Sequence, residues 1–154
     1  MKLISSIIAA CILTMFAFNA NAQDLRGPKI FGLQLGMPMD EAKNIINELA
    51  SKSGLTKEQF DLYVSIDEYN SEKDGKLDKY IFFAQISGNI FNVDSFLDPT
   101  FLQKLCDTYN IPELRNVGNG EYEYKDNDSG YIVEVSRVWI RVYKIKKSSE
   151  ARFE

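Results

Sequence analysis

Carboxylates are the residues of this chain best placed by type and spacing to move a proton. Glu121 and Glu123 stand two apart in the alternating run Glu121-Tyr122-Glu123-Tyr124. Both therefore point to one face of a strand, about 7 Å apart by the two-residue rise, and Glu134 is a third candidate for that neighbourhood. Paired carboxylates cleave glycosides when a desolvating pocket or a charge partner raises the pKa of one of them. The sequence supplies neither, so the run reads as the solvated acidic face of a strand. A small carboxylate hydrolase is the third and least favoured functional reading.

Two loops invite a metal test. In Asn70-Ser71-Glu72-Lys73-Asp74-Gly75-Lys76-Leu77-Asp78, oxygen donors fall at Asn70, Glu72 and Asp74, with Gly75 and Leu77 where a calcium loop wants glycine and an apolar residue. The twelfth position is Ile81 rather than a bidentate glutamate, which favours a solvated hairpin loop. Asp126, Asp128 and Gly130 receive the same reading. No metal and no cofactor is expected.

The 154 residues include no His, two Cys and one Trp. Without His there is no Ser-His-Asp triad, no Cys-His dyad, no imidazole zinc site and no histidine pH switch. The balance of 18 basic against 22 acidic residues gives a net charge of −4, unsuited to neutralising phosphates, so no nucleic-acid partner is expected. One of the cysteines, Cys11, lies in the leader described below. Cys106 then stands alone, too few for an internal disulfide, and its place in the stripe Phe101, Leu102, Leu105, Cys106, Tyr109 reads as a buried small hydrophobe.

The aromatic residues offer contact chemistry instead. If Val138, Ile140 and Val142 face a core, Trp139, Arg141 and Tyr143 share the opposite face of the same strand. Trp, Tyr and Arg are the types enriched at interface hot spots. Tyr63 and Phe83 extend the patch if the strand register brings them alongside.

The elements that must position these residues follow from periodicity. Met1-Lys2, the apolar stretch Leu3–Phe18 and Ala20-Asn21-Ala22 form a signal peptide, with cleavage expected after Ala22. The Ile8-Ala9-Ala10-Cys11 run is read as part of that leader, not as a lipidation site. Residues 23–154 then form one domain, periplasmic or secreted, with membrane contact only through the export signal and a frayed tail over 146–154. Residues 23–30 read as a polar lead-in. Ala42, Ile45, Ile46 and Leu49 place one apolar stripe on a helix over 38–51, stopped by Ser53-Gly54. Phe60, Leu62, Val64 and Ile66 then alternate as a strand, followed by strands at 80–86 and 90–93. The second half repeats the plan. Asp98-Pro99 starts a helix that ends near Asn110, and strands follow at 121–124, 131–135 and 138–145. The expected fold is α+β, with two helices on one face of an antiparallel sheet assembled from two helix-plus-meander units.

The segment Phe31-Gly32-Leu33-Gln34-Leu35-Gly36-Met37-Pro38-Met39-Asp40-Glu41-Ala42 resembles the GxxLGMxxxEA opening of small exported bacterial proteins. That set includes the beta-lactamase-inhibitor-protein-like group and small outer-membrane assembly lipoproteins of similar fold. Tyr109-Asn110-Ile111-Pro112 looks like the YGxP ending of the second helix in such proteins, with Asn110 in place of Gly. The resemblance implies a helix-and-meander fold and, from its inhibitor-like members, binding through the open sheet face. The chain departs from the assembly lipoproteins in lacking a lipidated cysteine. Fold does not dictate function, so the leading expectation is a non-enzymatic exported module, inhibitor- or immunity-like, that binds an unknown protein partner. Its net acidic surface is expected to steer basic partners. A structural or assembly role in the cell envelope is the alternative.

Overall fold

A computed structural model describes residues 24–61, 64–66, 75–84 and 90–146. The expected leader and cleavage site, Cys11, Tyr63, Asn70 to Asp74, and residues 147–154 lie outside the described residues.

The described residues begin with a hairpin, whose first strand stands where a polar lead-in was expected. Strands β1 (Arg26–Ile30) and β2 (Leu33–Leu35) pair antiparallel. Their turn places Phe31 and Gly32 at φ 48° and 89°. Positive φ at both central residues suits the strand twist, but a Phe there hides the signal usually given by Asn-Gly. The strained Phe31 is held by edge contacts of its ring with Phe82 and Phe91.

After β2 the chain turns at Gly36, whose N–H donates to the carbonyl of Leu77 at 2.8 Å, while the Leu77 N–H donates to Met37. Gly36 has φ 88°, and a Cβ there would lie 2.0 Å from the carbonyl oxygen of Asp24. Only glycine fits. Helix α1 (Met39–Ser53) follows and buries Met39, Ala42, Ile46 and Ala50. Asp40 and Glu41 sit in its first turn, where the helix dipole favours acids, and Gly54 caps its end in the left-handed conformation.

The expected strand beginning at Phe60 is corrected. Lys57–Asp61 is a short helix, α2, and strand β3 is confined to Val64–Ile66. A reciprocal capping box starts α2. The Thr56 hydroxyl accepts from the Gln59 N–H, and the Gln59 side chain accepts from the Thr56 N–H. Strand β4 (Lys79–Phe83) comes next. The third strand expected at 90–93 is also corrected: Ile90 and Phe91 are helical and Asn92 takes φ 55°. Phe91 faces inward instead, against Phe31, Phe82, Phe96 and Phe101.

Helix α3 (Pro99–Tyr109) begins where Asp98 accepts from the Thr100 and Phe101 N–H groups. Left-handed Asn110 ends it. Four strands close the chain: β5 (Arg115–Gly118), β6 (Glu121–Asp126), β7 (Tyr131–Val135) and β8 (Trp139–Lys144). They join the first half in one antiparallel six-stranded sheet, ordered β3-β4-β8-β7-β6-β5. The fold is α+β, with three helices among the described residues. The two halves are unequal, because the first supplies only β3 and β4 to the shared sheet.

One face of that sheet is the core. Tyr80, Phe82, Val133, Val135, Ile140 and Val142 are fully buried, or nearly so, with the apolar sides of the helices and of the β1–β2 hairpin. The buried Tyr80 hydroxyl donates to the Pro28 carbonyl at 2.8 Å, tying β1 to β4.

Candidate functional site

Alternation fixes what the other face carries. Since Ile140 and Val142 point into the core, Trp139, Arg141 and Tyr143 point away from it, as their spacing predicts. Val138 does not join the core set. It lies before β8 in the turn from β7 and is 56% exposed. Phe83 stands directly opposite Trp139 across β4 and β8, so these two predicted residues meet on one face. Cys106 is half-buried on α3, its thiol pushed up by burial, which keeps it protonated and inert near neutrality.

Ser136 positions the tryptophan. Its hydroxyl accepts from the N–H groups of Val138 and Trp139, and its own N–H donates to the Trp139 carbonyl at 2.8 Å. This tight turn sets the β7–β8 register, in which Glu134 faces Arg141 and Ile132 faces Tyr143. Arg141 Nε donates to Glu134 Oε2 at 2.6 Å, and Nη2 pairs with the same oxygen. The other carboxylate oxygen, Oε1, accepts from the Tyr143 hydroxyl at 2.8 Å. The Arg141 guanidinium also lies 4.3 Å from the Trp139 ring centre and 5.4 Å from that of Tyr143, within cation–π reach of both.

Glu134 thus clamps the arginine and the tyrosine, and the arginine covers the tryptophan. The Glu134 and Arg141 side chains keep only 15% and 32% of their surface in solvent, so the pair is screened less than an open surface bridge. Burial, reinforced by the hydrogen bond and charge of Glu134, pushes the Tyr143 hydroxyl up to about 12. The clamp follows from hairpin register: a turn at Ser136-Arg137 between two runs of β-formers already sets Glu134 across from Arg141. Sequence reasoning treated Glu134 only as a possible acid and overlooked Ser136.

The carboxylates flagged for hydrolysis are placed otherwise. Glu123 stands opposite Glu134 on the outer face, and Arg115 on β5 stands opposite Glu123. One row therefore crosses the sheet as Arg141, Glu134, Glu123, Arg115, with each end cationic. Glu134 has one oxygen engaged by Arg141 within the row and the other by Tyr143 of the neighbouring row, and Glu121 is exposed at the start of β6. Among the described residues no three acidic or cysteine side chains converge as metal ligands. Asp126 closes its own turn by accepting from the Asp128 and Ser129 N–H groups. The Asn70–Asp74 portion of the other loop lies outside the described residues.

Concave surface is shallow on the aromatic face. A depression of about 470 Å³ lies beside Tyr143, bounded by Asp78, Lys79, Ile132, Arg141 and residues 144–146. A wider groove of about 1270 Å³ runs elsewhere, between β1 and the 127–130 turn, and carries charges of both signs in Arg26, Lys29, Asp78 and Asp128. Among the described residues, no helix is long and apolar enough to cross a membrane. No protein-family model, no curated protein and no solved structure matches this chain.

Proposed function

We propose that this protein is an exported, non-enzymatic binding module that docks a protein partner, inhibitor- or immunity-like, on the outer face of its sheet. The observation that carries this reading is the clamped set of Trp139, Arg141 and Tyr143 beside Phe83. Those residue types dominate binding energy at protein interfaces. Their mutual contacts hold them in place before a partner arrives, which lowers the entropy cost of association. The resemblance of residues 31–42 to inhibitor-like exported proteins supports the same use of an open sheet face.

The test is affinity capture from the cells that make the protein, with Trp139→Ala and Tyr143→Ala alongside the unaltered chain. Both variants should lose the captured partner while their melting temperatures fall by less than about 6 °C, as expected for half-buried side chains. Undiminished capture by both variants would contradict the proposal. A collapse of the melting temperature would instead make these rings part of the scaffold.

A further inference from the structure

The outer face is not uniform in charge. The central row holds charges of both signs: Arg141 pairs with Glu134, and Arg115, which stands opposite Glu123, pairs with Glu113. The neighbouring row is different. Register places Lys79, Tyr143, Ile132 and Lys125 side by side across β4, β8, β7 and β6. Among the described residues no acid belongs to this row, and neither Lys79 nor Lys125 forms an ion pair there. Between the two lysines lie the Tyr143 ring and Ile132, next to the depression of about 470 Å³. A chain of net acidic charge thus carries a basic, apolar-centred row on its aromatic face.

Resting on the docking reading above, we infer that this row takes an extended segment of the partner, with acidic residues at its first and fifth positions and an apolar residue at its third. The spacing argues for that pattern. Lys79 and Lys125 are separated by three strand intervals of about 4.8 Å, roughly 14 Å in all. Four residues of extended chain span about 13 Å and put the first, third and fifth side chains on one side. The apolar third residue then covers Tyr143 and Ile132, while each carboxylate meets one lysine. A helix cannot make this match, because four residues along it advance only about 6 Å. The selectivity runs opposite to the net charge: local complementarity decides which segment docks, and the overall field acts at longer range.

Three synthetic nine-residue peptides test this directly. The first carries glutamates flanking a central leucine in the stated pattern, the second replaces the glutamates by lysines, and the third replaces the leucine by serine. Binding is read by NMR from the single indole N–H, that of Trp139, and from the amides of Ile132 and Tyr143. The acidic peptide should shift these signals saturably and the other two should bind at least about tenfold more weakly. Lys79→Glu with Lys125→Glu should reverse the preference between the glutamate and lysine peptides. Lys79→Gln with Lys125→Gln, a milder change, should weaken the acidic peptide while preserving the spectrum of the folded domain. Equal shifts from the lysine peptide would overturn the acidic specificity while leaving the face a docking surface. Silence from all three peptides would overturn the inference as well, and the capture assay then judges the docking face independently.

Discussion

Glu134 has Glu123 directly across the strand pair, an arrangement of like charges that destabilises a sheet unless cations flank it. Arg141 supplies one by pairing with Glu134, and Arg115 stands opposite Glu123 although its own ion pair is with Glu113. Arg141→Ala should therefore cost more than a surface ion pair, about 1–3 kcal/mol, because it leaves a partly buried carboxylate beside another. Glu134→Gln should cost less, since the amide still accepts from the Tyr143 hydroxyl. A double-mutant cycle by urea denaturation checks the coupling, and additive effects would contradict a clamp. The tyrosines give a second prediction. Burial pushes Tyr131 and Tyr143 up to about 12, while a free tyrosine titrates near 10. The folded state holds these protons longer, so their stabilising effect is complete below pH 10 and is lost as pH rises through about 12. Absorbance titration at 295 nm should show phenolate steps delayed until the chain unfolds, with one fewer in Tyr143→Phe.

Two glycines separate conformation from crowding among the elements. Gly54 and Gly36 both have positive φ, but a Cβ at Gly54 meets nothing within 4 Å, whereas one at Gly36 would strike the Asp24 backbone. Gly54→Ala should cost about 1 kcal/mol. Gly36→Ala should cost about 2–4 kcal/mol, because strain and overpacking act together. Thermal melts of the two variants distinguish these cases. The helices α1 and α3 were legible because each has an apolar stripe of period 3.6 and a definite stop, Gly54 in one and Asn110-Ile111-Pro112 in the other. Strands β7 and β8 were legible from β-branched and aromatic runs. Phe60 misled because its even spacing with Val64 and Ile66 mimics a strand, while the signal that decides α2, the Thr56–Gln59 capping box, lay in plain view. The alternation of Leu33 and Leu35 marks β2 as extended, but its partner β1 was hidden by Gly27-Pro28 inside a strand and the hairpin turn by a phenylalanine where Asn or Gly is favoured. Three of the proposed contact residues, Trp139, Arg141 and Tyr143, were readable from one strand's alternation. Lys79, Ile132 and Lys125 were not, because cross-strand neighbours depend on a register that hairpin turns set and a single strand does not reveal.

At the scale of the molecule, the sheet joins both halves through the β4–β8 pairing and leaves them different tasks. Its inner face packs Phe82 against the aromatic core of Phe31 and Phe91, which continues to Phe101, and its outer face carries charges and rings arranged by the same register. A docking role predicts that contact is confined to that outer face and absent from the helix surfaces. A photo-crosslinking amino acid at position 83, beside Trp139, and another at the exposed Glu48 of α1 test this in the cells that produce the protein. Position 83 should yield one discrete adduct that vanishes with Trp139→Ala, and position 48 should yield none. An adduct at position 48 alone, or the same adducts at both positions, would contradict the account.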